Sequence, residues 1–257
     1  MERTMSLVDH LGELRKRLIT VLLAFTVFLI ATFIFVEDIY QMIVNHFSVK
    51  LAILAPTEIL WVYFMIAGVC AIALTIPVAA HQLWLFIRPA LYPHEQKVTL
   101  AYIPALFLLF VFGFAFSYVV ILPIVLNFLM ELSGEMMQTY FTTEKFFRFL
   151  LNMTLPFGLL FELPVVTMFL TSLGIINPYR LQKVRKYAYL VLVIIAAVIT
   201  PPDLLSEILV IIPLLLLYEC SILLSKVVLR RREKKGTFPG IMKEAVWDCF
   251  LFFRITD

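Results

Sequence analysis

Charge is scarce in this chain. Asp, Glu, Lys and Arg make up 15% of its 257 residues, against 62% hydrophobic residues. A soluble domain of this size needs far more polar surface to cover its core. That excludes a water-soluble globular fold and implies lipid as the solvent, in line with a mean hydropathy of +0.98. Cysteine is sparse too. The three cysteines (Cys70, Cys220, Cys249) show no paired spacing, and Cys70 and Cys220 fall inside apolar runs. Such placement gives neither a disulfide framework nor a metal site. Glycine numbers only eight, and no apolar run holds a GxxxG pair of the kind that brings membrane helices into close contact. No internal repeat and no low-complexity segment is evident.

Enzyme signatures are missing as well. His94-Glu95 opens like H-E-x-x-H, but Val98 takes the second histidine position and no zinc pair results. No G-x-S-x-G sequence suggests a serine nucleophile, and no Walker A sequence suggests nucleotide binding. The sequence therefore calls for no catalytic residue, no metal, no cofactor and no nucleic acid.

What the chain does have is long apolar runs. A helix needs about 20 apolar residues to cross the hydrocarbon layer. Leu18–Val36, Ile59–Ala80, Val98–Met130 and Phe149–Ile176 meet that length, the last interrupted by Glu162. Leu18–Val36 is longer than a signal-peptide core and no A-x-A-like site follows it, so it reads as a retained anchor. Tyr187–Pro202 offers 16 residues, roughly 24 Å of helix against a core of about 30 Å. Leu204–Ser225 follows after a single polar break at Asp203. Either the bilayer thins around this hairpin or its helices do not cross fully.

Lysine and arginine set the orientation. Eighteen of the 21 cations lie in the N-terminal segment, the loops around Arg88 and Arg180–Lys186, and the C-terminal tail. The other connections hold only Lys50, Lys145 and Arg148. Both termini are expected in the cytoplasm, in a multi-pass protein of the inner cell membrane. Prolines 77, 104, 123, 156, 164 and 213 punctuate the runs and predict kinks. The expected fold is an all-α integral membrane protein of six transmembrane helices. Its helices are kinked into a concave bundle, the last two short. Residues 1–17 form a cytoplasmic amphipathic segment, 18–225 the bundle and 226–257 a basic tail. The outer connections Glu37–Glu58 and Glu131–Arg148 mix acidic residues with Ile39, Met42, Phe47, Phe141, Phe146 and Phe147, and are expected to fold over the outer surface.

A few polar residues stand out against this background. In Ser6–Leu18, Leu7, Leu11, Leu14 and Leu18 share one helical face. The simple reading is an interfacial helix with a Glu13–Arg17 surface pair worth a few tenths of a kcal/mol. The loop Phe86–Glu95 carries two prolines and ends on Glu95, which serves solubility unless it has a partner. Glu13 and Glu95 share an otherwise basic face. Glu162 sits near mid-run, where a carboxylate costs about 2.5–3.5 kcal/mol on insertion scales. It therefore faces protein or water, or is protonated. Glu219 is placed to snorkel towards the interface, a structural role. Asp203 is an N-cap for the last helix after Pro201-Pro202.

Taken together these residues resemble one family. The match runs through His10-Leu11-x-Glu13-Leu14-Arg15-x-Arg17-Leu18 and Gln82-x-Trp84-x-Phe86-Ile87-x-Pro89-Ala90-Leu91 with Glu95. It continues through Phe161-Glu162-x-Pro164 and Thr200-Pro201-Pro202-Asp203. In order and in sidedness they resemble the TatC family, the multispan core of the twin-arginine translocase. The details resemble the two-component systems of Gram-positive bacteria. The resemblance implies binding of twin-arginine signal peptides and export of folded proteins, driven by the proton gradient. It implies signal-peptide contacts at Leu7, Glu13, Arg15, Phe86 and Glu95, and an intramembrane polar role in translocation for Glu162. Thr200 and Glu207 would meet a small single-span TatA-like subunit. The chain would also associate with further copies of itself. The aromatic tail Gly236–Asp257 has no counterpart in the resemblance. A proton-coupled transporter of a small solute, with Glu162 as its proton site, is the competing expectation. Transporters of that kind show repeats and glycine-interrupted helices, which this chain lacks.

Overall fold

The structure, a computed structural model, describes residues 7–47, 51–88, 96, 99–133, 141–200 and 204–234. The first helix, α1 (Leu7–Ile34), is followed after Phe35 by α2 (Val36–Phe47) and a short strand β1 (Leu51–Ala52). Then come α3 (Pro56–Ile87), α4 (Tyr102–Phe116), a π-helical turn at Ser117–Ile121 and α5 (Leu122–Ser133). A second strand β2 (Phe141–Thr142) leads into α6 (Thr143–Leu160) and α7 (Leu163–Ser172). The chain ends its described part with α8 (Pro178–Lys183), α9 (Arg185–Ile199) and α10 (Leu204–Lys234).

Among the described residues, five stretches are long and apolar enough to cross a membrane: Gly12–Ile34, Pro56–Ile87, Tyr102–Glu131, Thr143–Ser172 and Ser206–Arg230. The helix α9, with 15 residues, reaches only about 22 Å and is short, as its sequence run predicts. The last helix is not short. It continues nine residues past Ser225, through Arg230–Arg232, to Lys234. Leu, Lys and Arg are good helix formers, and charge ends an apolar run without ending a helix. At the other end, α1 runs unbroken from Leu7 through the first span, so the amphipathic stretch and the span share one helix.

Prolines act where the sequence places them. Pro77, Pro156 and Pro213 lie inside α3, α6 and α10. Pro123 follows the π-helical turn directly. Its ring would clash with the carbonyl of Val119, four residues back, and the widened turn accommodates it. Pro164 lies in the first turn of α7. Just before it, at Phe161-Glu162, the regular hydrogen-bond ladder is interrupted by a turn, the Glu162 N–H donating to the Leu159 carbonyl three residues back. A single long run thereby becomes two helices.

Helix α2 packs against the first turns of α6. Tyr40 of α2 stacks on Phe147 with ring centres 5.2 Å apart, and Phe47 meets Phe146 edge-on at 5.7 Å. Phe146 and Phe147 are almost wholly buried, in the first turns of α6 and not in a surface loop. Two-residue strands depart from an all-helical chain: Leu51 pairs with Phe141 and Ala52 with Thr142, in parallel. The hydroxyl of Thr143 donates to the Ala52 carbonyl at 3.3 Å. Met42, by contrast, stays exposed.

At the opposite end the chain folds inward. After α7, Gly174 adopts φ 77°, a left-handed conformation that glycine takes without steric cost. Thr171 and Ser225 meet through their hydroxyls at 2.6 Å, both buried. Six residues earlier on α10, about 9 Å deeper, Glu219 accepts from Arg185 at 2.6 Å. The Tyr218 hydroxyl donates to the Leu181 carbonyl at 2.9 Å, drawing α8 in as well. Helix α9 thus begins at Arg185, level with Glu219 on α10.

Candidate functional site

Three places gather the polar residues singled out by the sequence. The first is where the start of α1 meets the end of α3. These helices run antiparallel, with the Thr32 hydroxyl 3.1 Å from the Ala67 carbonyl and Phe33 against Phe64 at 5.2 Å. Thr32 lies 19 residues after Glu13, and Phe86 lies 19 residues after Ala67. Equal helical rise from that contact brings Glu13 level with Phe86. The carboxylate of Glu13 pairs with Arg17 one turn on, and both side chains are largely covered, at 25% and 20% exposure. Arg15 is exposed on the same helix, and Leu14 and Leu18 remain uncovered by protein. Leu7 opens α1; its side chain, and the whole of Glu95, lie outside the described residues.

The two sides of the loop that carries Glu95 are tied together. The indole N–H of Trp84 donates to the Thr99 hydroxyl at 3.0 Å, a buried bond. Arg88 lies over the Trp84 ring, 5.4 Å from its centre. Its Nε donates to the Gln96 side-chain carbonyl at 3.3 Å, and the Gln96 amide returns a bond to the Arg88 carbonyl at 3.4 Å. The sequence reading used Trp84 only as a motif residue and Arg88 only as a cation. A tryptophan and a threonine 15 residues apart, either side of a proline-rich turn, were the available signal.

The second place is the break between α6 and α7. Glu162 occupies the cap position of α7 but makes no side-chain cap bond. Its carboxyl is partly covered, and Oε1 is buried without a hydrogen-bond partner among the described residues. The Phe161 ring beside it packs on Phe116 and Phe112, with centres 5.6 and 5.8 Å away. A polar atom in such surroundings keeps its full desolvation cost until something pairs with it. The arrangement leaves one acceptor position open in a mostly aromatic wall.

The third place is the α9–α10 hairpin. Thr200 is buried, and its hydroxyl donates to the Ala196 carbonyl at 2.9 Å, closing the end of α9. Glu207 is half-buried in the first turn of α10, where a carboxylate suits the helix dipole. Asp203, the expected cap, lies outside the described residues. Glu219 does not snorkel. It accepts from Arg185 and, through its other oxygen, from the Tyr189 hydroxyl. Sequence reasoning missed this trio because its members are 34 and 30 residues apart and share no local pattern. Among the described residues no group of His, Cys, Asp and Glu is placed to hold a metal ion.

Comparison with known proteins agrees with this geometry. The family model described as Sec-independent protein translocase protein (TatC) matches residues 9–213. The chain is 54% identical to the translocase protein TatCd of Bacillus subtilis, over 90% of this chain and 96% of that one. It is 46% identical to TatCy of the same organism, over 90% and 93%. The TatC protein of Aquifex aeolicus is 35% identical over 90% and 98%. A crystal structure of the twin-arginine translocase receptor TatC superposes with a TM-score of 0.75 at 35% identity, covering 85% of this chain and 99% of that chain. This multi-pass membrane protein belongs to the TatC family and is a component of a Sec-independent protein translocase.

Proposed function

We propose that this chain reads twin-arginine signal peptides on the inner face of the cell membrane. The observation that carries the proposal is the α1–α3 register, which sets the Glu13 carboxylate level with Phe86 at the inner end of both helices. A guanidinium presents a planar fork that a carboxylate accepts bidentately, which an ammonium cannot reproduce. Two carboxylates, Glu95 as the main contact and Glu13 as the second, take one arginine each. Arg15 and Leu7 border the same helix, and Phe86 packs on the apolar residues that follow the arginines. The apolar part of the signal then enters the bundle, where Glu162 supplies the polar point in the wall. The driving force is the proton gradient, as the resemblance to the TatC family implies.

A small single-span TatA-like subunit is the proposed partner at the α9–α10 hairpin. Glu207 and the uncovered α9 residues Leu190, Val191, Ile194 and Val198 make that contact. Thr200 serves it by ending α9, since its hydroxyl is already committed to Ala196. Copies of the same chain assemble around the precursor.

Photo-crosslinking from positions 13 and 95 to a precursor tests the reading. Crosslinks to residues at the paired arginines are expected from both positions. Crosslinks confined to the mature part of the precursor would contradict it.

A further inference from the structure

Two of the contacts between α4 and the α6 end are made through a glycine of one and a phenylalanine of the other. On α4 the pair is Phe110 and Gly113; on α6 it is Gly158, with Phe161 just past the helix end. A Cβ on Gly158 would lie 2.8 Å from the Phe110 ring atom Cε2. A Cβ on Gly113 would lie 2.5 Å from Phe161 Cγ and 2.6 Å from Phe161 Cβ. These two contacts differ in kind. At Gly158 the obstacle is the far edge of a ring, which a smaller side chain removes. At Gly113 the obstacle includes the Cβ of Phe161, which every residue but glycine carries, so only movement of the backbone relieves it. Membrane helices gain little from apolar burial against lipid, and close backbone approach through small residues sets their relative position.

Phe161 immediately precedes Glu162, at the break where the backbone leaves α6. Neither residue is held by a regular helical ladder on both sides, so their position depends on what packs against them. We propose that Gly113 is a positioning residue for Glu162. By admitting the Cβ and ring of Phe161 to close contact with α4, it fixes the direction in which the neighbouring carboxyl faces. The Gly158–Phe110 contact, one helical turn away, holds the same two helices in register. The proposal rests on the reading of Glu162 as a working group in export.

The test is a double-substitution cycle read by export of a folded precursor in cells, with signal-peptide binding measured on the same membranes. Gly113→Ala is expected to lower export about tenfold, as overpacking at a close contact does, with binding within about twofold of the wild type. Glu162→Gln is expected to do the same. Combined, they are expected to export no worse than Glu162→Gln alone, since residues acting through one group are not additive. Phe161→Leu, which keeps Cβ and Cγ but loses the outer ring, replaces Gly113→Ala in a second cycle with the same expectation. That second cycle decides the matter where Gly113→Ala does not accumulate. Gly158→Ala is expected to be rescued by Phe110→Leu. By contrast, Gly113→Ala is expected not to be rescued by Phe161→Leu.

Losses that multiply in either cycle would overturn the positioning role while leaving Glu162 as a working group. Normal export by Glu162→Gln would overturn the reading of Glu162, and the positioning role with it.

Discussion

Arg185 and Glu219 join the start of α9 to the middle of α10 by a bond of 2.6 Å. The Tyr189 hydroxyl, one turn further along α9, takes the other carboxylate oxygen. Both charged side chains keep about a third of their surface open, at 39% and 32%, so the pair is screened and its strength is that of a surface bridge. Its place in the fold gives it more consequence than its energy. It lies about 9 Å below the Thr171–Ser225 contact and holds the inner end of the short helix within the bundle.

Arg185→Gln is therefore expected to loosen the hairpin without unfolding the chain. A loss of about 1 kcal/mol corresponds to a melting temperature about 2–4 °C lower for a chain of this size, measured in detergent. Export is expected to fall more than signal-peptide binding, because the proposed partner contact lies on the hairpin and the proposed peptide contact does not. A binding defect equal to the export defect would contradict this assignment.

On the proposed reading, the Glu13–Arg17 pair competes with the signal peptide: an arriving arginine would share or displace Arg17, and an i,i+4 pair on a helix contributes about 0.2–0.5 kcal/mol. Arg17→Gln is expected to tighten binding of a twin-arginine peptide by about twofold, while Glu13→Gln weakens it. Titration of a labelled peptide into membranes measures both. Weaker binding by Arg17→Gln would mean that Arg17 supports the site directly.

Trp84 and Thr99 close the loop that carries Glu95. Trp84→Phe keeps an aromatic face for Arg88 but removes the indole donor, and Thr99→Val removes the acceptor. Each is expected to weaken peptide binding by about fivefold, the worth of about 1 kcal/mol in a lost hydrogen bond. The double substitution is expected to be no worse than either alone, since both delete one bond. Multiplying losses would mean that the two residues act separately.

Orientation is open to a direct check. Leu54 is 76% exposed in the connection between α2 and α3, and Lys183 is exposed at the end of α8. With cation placement putting the loop of Lys183 inside, Leu54→Cys is expected to react with an impermeant thiol reagent in intact cells. Lys183→Cys is expected to react only after the membrane is opened. The reverse pattern would invert the chain in the membrane.

Much of this architecture is written locally in the sequence. Apolar runs locate the spans, Pro164 locates the break beside Glu162, and the spacing of Glu13 and Arg17 gives their pair. These signals are legible because their causes lie within one or two helical turns. The run Tyr187–Pro202 also gives the short helix, but the bond that anchors its start joins Arg185 to Glu219, 34 positions away. The continuation of α10 through Arg230–Arg232 is hidden for another reason: charge marks the end of an apolar run, whereas helix propensity carries on. Phe146 and Phe147 read as surface residues beside Lys145 and Arg148, yet they are core, since only tertiary packing shows which face of α6 meets Tyr40 and Phe47. Gly113 and Phe161 are 48 positions apart, and no periodicity links them.

Affinity of the membrane-embedded chain for a twin-arginine peptide and for its twin-lysine counterpart tests the central claim most directly. The account predicts that the wild type holds the arginine peptide at least about tenfold more tightly, because two bidentate contacts are lost with lysine. It also predicts that Glu13→Gln combined with Glu95→Gln narrows this preference to about twofold. Equal affinity of the wild type for the two peptides would contradict it.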